Sequence, residues 1–207
     1  MDIYQYTLQE LLDYPQIRTW PEMQSLLGRA VAPKPPHWKL PVLACEALGT
    51  APERALPAVA AIACLQSSII LIDDLLDEDP RGEHLRVGQA AAANMASAFQ
   101  AVALELLSKA CPKHKQEVSA LHSLNQMVLM TAYGQYLDTH NPSDESSYWQ
   151  LVRTKSSPFF GAALEVGAWI AGASIEIARQ FKELGYLYGE MVQINDDLSD
   201  TMAVPAN

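Results

Sequence analysis

The sequence predicts an all-α fold, a single antiparallel helical bundle, and three observations carry that reading. Apolar positions recur at helical spacing along nearly the whole chain. No window sustains the period-two alternation of half-buried strands. The helical runs are long and joined by short turns, which makes neighbours antiparallel. With 207 residues, 49% of them hydrophobic and 18% charged, one domain can bury a sizeable core, and the composition excludes disordered, collagen-like and coiled-coil classes.

Taken in order, the first 30 residues hold one or two short helices, around Leu8 to Leu12 and Glu22 to Leu27. Thr50 followed by Glu53 has the capping-box pattern. A long helix is therefore expected from just after Gly49 to about Asp77, with its first turns bent by Pro57. Gly82 and Gly88 bracket a short connection. A second long helix runs from Gln89 to Lys109 and stops at Cys111-Pro112. The third extends from about Lys115 to Asp138, where an Asn, Pro and Ser cluster signals a turn. Ser143 or Asp144 caps a fourth, which carries Tyr148, Trp149 and Lys155 and kinks at Pro158. Gly172 to Ser174 separates it from a fifth, Ile175 to about Asp200.

Residues 55–72 and 87–104 each run without a charge, at the lower length limit of a membrane-spanning helix. Gln66, Ser67 and Ser68 interrupt the first, and Gln89, Asn94 and Gln100 the second, so both are expected to be buried helices of a soluble bundle, with no transmembrane segment. The N-terminus lacks the apolar core of a signal peptide. Cys45, Cys64 and Cys111 are odd in number and widely spaced, which indicates neither a disulfide framework nor a zinc site and suits a cytoplasmic setting. A formal charge of −10 repels a phosphate backbone, so no nucleic-acid partner is expected.

One internal repetition carries chemistry. Asp73, Asp74 and Asp77, and again Asp196, Asp197 and Asp200, stand at positions i, i+1 and i+4 near the C-terminal end of a long helix. Residues i and i+4 lie one above the other, about 6 Å apart along the axis, whereas i+1 turns away by about 100°. Each motif thus offers two carboxylates to one small volume. A helix C-terminus carries partial negative charge and disfavours acids, unless a cation offsets it. Hard oxygen ligands without His or Cys select Mg²⁺, which commonly bridges carboxylates to substrate phosphates.

On these two motifs the sequence resembles the trans-isoprenyl diphosphate synthases, or polyprenyl synthetase family, over essentially its whole length. Gln193 stands three residues before the second motif, Gly134-Gln135 with Asp138 resembles a mid-chain GQxxD element, and Lys155 takes the place of the Lys in a KT element. The resemblance implies an isoprenoid synthase bundle whose central cavity is flanked by the two motifs. It implies Mg²⁺ held by Asp73, Asp74, Asp77, Asp196, Asp197 and Asp200, as three ions with bound diphosphate, Mn²⁺ being a substitute. It further implies a prenyltransferase that condenses an allylic diphosphate with isopentenyl diphosphate, a homodimer formed through residues 87–104, and Asp73, Asp77, Asp196 and Lys155 as catalytic residues. Substrate contacts would come from Lys34, His37, Gln66, Arg81, Arg86, Lys155 and Gln193. Ser68 and Ile69, five and four residues before Asp73, would floor the tail cavity. Since Ser68 is small, a geranylgeranyl or longer product is expected, with Phe99, Met95 or Leu104 as a deeper floor.

The pattern departs in three places. Asp79-Pro80-Arg81-Gly82 supplies one Arg where the family has a pair. Pro33-Lys34-Pro35-Pro36 keeps one Lys of a GGKR element that binds isopentenyl diphosphate. The chain also stops seven residues after Asp200, without the C-terminal part usual in the family. Weakened second-substrate contacts leave a class I terpene cyclase as an alternative. A non-catalytic subunit of a heteromeric synthase is a second, although such subunits tend to lack one or both motifs that this chain keeps.

Overall fold

The computed structural model describes residues 2–111, 114–140 and 143–203, and among these it is helical, with no strand. The helices are α1 (Ile3–Leu12), α2 (Pro15–Arg18), α3 (Pro21–Val31), α4 (Leu40–Ala47), α5 (Leu56–Leu76), α6 (His84–Val87), α7 (Gln89–Ser108), α8 (His114–Asp138), α9 (Glu145–Lys155), α10 (Ser157–Ile170) and α11 (Ile175–Ala203). Short 3₁₀ turns occupy Pro36–Lys39 and Pro52–Ala55.

Three boundaries differ from the sequence reading, each for a local reason. The Thr50 and Glu53 pair forms no capping box, since neither Pro52–Ala55 nor α5 has a side-chain cap. Instead Gly49, at φ +72°, ends α4, a short helix the pattern did not reveal, and the Thr50 N–H closes it by donating to Cys45 O at 2.9 Å. Pro57 opens α5 rather than bending it, because a helix's first turn needs no intrahelical N–H. Pro158 acts in the same way. The expected kink is a break at Ser156, with α9 ending at Lys155 and α10 beginning at Ser157. Asp144, one of the two expected caps, does form a capping box with Ser147.

The bundle centres on α10, whose residues are all buried. It is surrounded by α4, α8, α9 and α11 and touches α5. Its one acid, Glu165, is satisfied by the Ser123 hydroxyl at 2.5 Å and by Lys182 Nζ at 3.3 Å, as a buried carboxylate requires. Pro52–Leu76 and Gln89–Ser108 are long and apolar enough to cross a membrane. In the fold 72% of the first apolar window is buried but only 44% of the second. The first is thus a core helix, while α7 packs one flank on α5 and turns Ala90, Ala93, Ser97 and Ala101 outward.

Three glycines bring the functional helix ends together. A Cβ on Gly134 of α8 would sit 2.3 Å from the backbone N of Lys155, so α8 and α9 touch through their backbones one turn before Asp138. A Cβ on Gly185 of α11 would meet Phe160 O at 2.4 Å, and one on Gly189 would meet Ser157 Cα at 2.7 Å. These contacts seat α11 directly on α10. Gly134→Ala is therefore expected to destabilise the chain by about 1–3 kcal/mol, the cost of overpacking. Gly28→Ala, in α3 with open space around the new methyl, is expected to stabilise it by about 0.5–1 kcal/mol through helix propensity. Urea unfolding of both variants checks the sign of each.

Candidate active site

The C-terminal ends of α5 and α11 meet at one cleft of about 900 Å³. Asp73 comes from α5, Lys155 and Ser156 from the α9–α10 junction, and Gln193 and Asp196 from α11. His37 and Gln66 line it as well, and Phe159 and Phe160 form an apolar wall. The sequence reading had assigned roles to six of these residues: Asp73, Lys155, Gln193, Asp196, His37 and Gln66. Gln66 is held in place by the Trp38 indole N–H, which donates to its Oε1 at 2.5 Å. Burial pushes the His37 imidazole down, against the opposing pull of the Asp196 charge, which favours a neutral ring.

Lys155 is the cation of the cleft. Its Nζ lies 2.5 Å from Asp138 Oδ2 and 3.0 Å from Asp73 Oδ1. Burial acts against its charge, but the hydrogen bond to Asp138 and the charge of Asp73 outweigh this and hold the ammonium above its usual range. The Asp73 contact is an ion pair without hydrogen-bond alignment: Oδ1 is buried and takes no directed hydrogen bond. That oxygen keeps a lone pair for another ligand. Asp77 caps α5, where partial burial, then the charge of Asp73, raises its carboxyl above the usual range.

The middle aspartates point elsewhere, as their i+1 positions require. Asp74 takes a backbone hydrogen bond from Glu83, beside Gly82 and His84, and desolvation raises its pKa. Asp197 accepts from the Tyr148 hydroxyl at 2.6 Å and from Gln193 Nε2 at 2.8 Å, and this bond pushes the Tyr148 phenol up to about 12. The Ser156 hydroxyl in turn donates to Gln193 Oε1. Asp196 makes no hydrogen bond or ion pair among the described residues. Asp200 lies on α11, with its side chain outside the described residues.

A second pocket of about 440 Å³ opens from Asp73 and runs between α5, α7 and α8. It is lined by Leu65, Ser68, Ile69, Ile72 and Val128, with Gln100, Thr131 and Gln135 as polar members. Ser68 faces this pocket and accepts from Gln100 Nε2 at 3.0 Å. Phe99 and Met95, suggested as a deeper floor, are fully buried in the core, and neither they nor Leu104 line the pocket. Gln100 is the α7 side chain that reaches it.

Three expected cations do not line either pocket. Lys34, at φ +51°, pairs with Asp2 at 2.9 Å. Arg81 pairs with Asp79 at 3.1 Å, and Arg86 lies 3.9 Å from Glu83. Residues that sequence reasoning left without a role are Tyr148, Ser156, Gln100 and the two phenylalanines. Asp138 could be found by its place four residues after Gly134.

Among the described residues no three metal-ligating side chains converge. The donors nevertheless fit Mg²⁺, because they are carboxylate oxygens on opposite walls and Asp73 Oδ1 is available. Mg²⁺ held there would keep several waters and leave room for phosphate oxygens.

The family model described as polyprenyl synthetase matches residues 38–207. The chain belongs to the polyprenyl synthetase family. The match begins just after Lys34 and His37. A geranylgeranyl diphosphate synthase of Methanosarcina mazei is 32% identical over 171 residues, covering 78% of this chain and 53% of the relative. A geranylfarnesyl diphosphate synthase of Aeropyrum pernix is 27% identical, covering 73% and 52%. Of solved structures, the geranylgeranyl pyrophosphate synthetase of Pyrococcus horikoshii superposes with a TM-score of 0.86 at 20% identity, over 97% of this chain and 64% of that one. That of the archaeon Geoglobus acetivorans gives 0.83 at 24%, over 96% and 66%. These two likenesses show the shared isoprenoid synthase fold. The polyprenyl synthetase chain here spans about half the length of the curated relatives it matches.

The raised Asp77 carboxyl gives a pH prediction for the metal-free chain. Its favourable contribution is present below the ordinary value of 3.8 and is lost as pH rises through the raised one. At neutral pH the charge costs stability at a helix C-terminus. Asp77→Asn is expected to raise Tm at pH 7 by about 1–2 °C, a gap that closes on acidification toward pH 4. Thermal scans at both pH values check this.

Proposed function

We propose that the chain is, or forms the larger part of, a Mg²⁺-dependent trans-prenyltransferase. It would condense an allylic diphosphate with isopentenyl diphosphate to give a geranylgeranyl or longer product. The observation that carries this reading is the facing of Asp73 and Asp196 across one cleft that contains Lys155 and opens into an apolar pocket. The relatives' names, geranylgeranyl and geranylfarnesyl diphosphate synthase, support the substrate class.

Bound at Asp73 and Asp77 on one wall and Asp196 on the other, Mg²⁺ would neutralise the charge that develops on the leaving diphosphate. Asp200 would join the second set. Lys155 adds a fixed ammonium, and a diphosphate oxygen can take over its loosely aligned contact with Asp73. As the allylic C–O bond breaks, the diphosphate departs with the electron pair, and the double bond of isopentenyl diphosphate forms the new C–C bond. Loss of one proton restores an alkene. Phe159 and Phe160 exclude water from the cation. Leu65, Ile69, Ile72 and Val128 hold the hydrocarbon tail, with Ser68 and Gln100 beside it.

A specific observation favours a second reading, cyclisation of a prenyl diphosphate without isopentenyl diphosphate. Lys34, Arg81 and Arg86 are paired with acids away from the cleft, which leaves few cations for a second diphosphate. In either case we infer a cytoplasmic homodimer, formed through the outward small residues of α7, which let helices approach closely.

Incubation with dimethylallyl, geranyl, farnesyl and geranylgeranyl diphosphates, with and without isopentenyl diphosphate, separates the readings. A longer diphosphate supports the synthase, a hydrocarbon or alcohol the cyclase, and no Mg²⁺-dependent diphosphate release the non-catalytic subunit. Asp73→Ala and Asp196→Ala are each expected to cut turnover at least 1,000-fold, about 4 kcal/mol of transition-state stabilisation, while the fold is retained. Wild-type-like rates in either would contradict the assignment. Ser68→Phe is expected to fill the tail pocket and shift products toward shorter chains. An unchanged product spectrum would show that the tail does not pass Ser68.

A further inference from the structure

Asp196 and Asp197 are adjacent carboxylates, yet their surroundings differ. Asp196 lines the main cleft with Asp73 and has no hydrogen bond among the described residues. Asp197 lies behind it, in a smaller pocket with Asp138, Val152 and Lys155. Both of its oxygens are engaged, Oδ2 by the Tyr148 hydroxyl at 2.6 Å and Oδ1 by Gln193 Nε2 at 2.8 Å. The amide of Gln193 is itself fixed by Ser156, the residue after Lys155. Tyr148 stands in the first turn of α9, next to the Asp144–Ser147 capping box that anchors that turn. The network therefore runs from the rigid start of α9, through Asp197 and Gln193, back to the α9–α10 junction beside Lys155.

From this geometry we propose that Tyr148 is a positioning residue: through Asp197 it fixes the rotation of the C-terminal part of α11, so that Asp196 faces the metal site and Asp197 does not. The proposal rests on the prenyltransferase reading. For Asp197 to turn from this smaller pocket into the main cleft, it would have to leave a phenol O–H and an amide N–H without their acceptor, in a partly buried setting where unpaired donors are costly. Engaged as it is, Asp197 serves as the acceptor that ties α11 to α9. Tyr148 donates one proton to it and never touches the diphosphate. Groups that orient metal ligands from behind typically change metal affinity about 10–100-fold when removed.

The test is a calorimetric titration of Mg²⁺ into the protein with inorganic pyrophosphate, on wild type, Tyr148→Phe, Asp196→Asn, Asp197→Asn and the double variant Tyr148→Phe/Asp197→Asn. Thermal unfolding of each variant separates loss of metal from loss of fold. Tyr148→Phe removes only a hydroxyl and is expected to weaken Mg²⁺ binding about 10-fold, with Tm close to wild type. Asp197→Asn is expected to fall in the same range, less than the loss in Asp196→Asn. The double variant is expected to be no weaker than the weaker single one, because the two side chains act through one contact. Wild-type Mg²⁺ affinity in Tyr148→Phe, or a loss in Asp197→Asn equal to that in Asp196→Asn, would overturn the proposal and leave the prenyltransferase reading standing. A wild-type protein that binds no Mg²⁺ with pyrophosphate would remove both.

Discussion

One ammonium group, Lys155 Nζ, lies within 3.0 Å of Asp73 and 2.5 Å of Asp138, and the approach of two acidic helix ends, those of α5 and α8, depends on it. Without that charge, the ends of α5 and α8 would bring Asp73, Asp77 and Asp138 together, each repelling its neighbours and each opposed by its helix dipole. The carboxyl groups of Asp74 and Asp77 are raised mainly by burial, with the charges of neighbouring aspartates adding to it.

The placement of Lys155 is a backbone matter before it is an electrostatic one. Gly134 lets α8 and α9 touch, so Asp138 meets Lys155 one turn further on. Gly185 and Gly189 seat α11 on α10, which brings Gln193 and Asp196 to the α9–α10 junction. Side chains at these positions would separate the helices and widen the cleft. The wholly buried α10 provides the rigid support, and its two N-terminal phenylalanines carry the core out to the floor of the cleft. Packing and chemistry therefore share residues, which is why small changes far from the carboxylates reach them.

Much of this was legible in the sequence, for identifiable reasons. The i, i+1, i+4 spacing of the two Asp motifs follows from helix periodicity alone and places the i+1 residue aside, yet the resemblance counted Asp74 and Asp197 among the six metal ligands, whereas Asp74 lies beside Gly82 and His84 and Asp197 in the pocket behind Asp196. The long helices were visible from their uncharged or amphipathic runs. Helix α4 was not, because eight residues opened by a proline leave little periodic signal. Pro57 and Pro158 read as bends in the sequence but lie in first turns of α5 and α10, since sequence alone does not say whether a proline lies inside a helix or at its start. The expected cations stand differently. Lys34, Arg81 and Arg86 were matched to the cleft by order along the chain, whereas Asp2, Asp79 and Glu83 are nearer in space. Partnerships such as Tyr148 with Asp197, 49 residues apart, and Ser68 with Gln100 leave no local pattern.

The central chemical question is whether the carboxylates of α5 and α11 act on one diphosphate across the cleft. The most direct measurement is a crystal structure of the protein with Mg²⁺ and an unreactive allylic thiolodiphosphate. The expected density has the diphosphate between Asp73 and Asp196, metal ions bridging it to both walls, Lys155 Nζ moved from Asp73 onto a phosphate oxygen, and the hydrocarbon tail along Ile69 and Ser68. A diphosphate bound away from either aspartate, or a tail directed out of the Ser68 pocket, would contradict it.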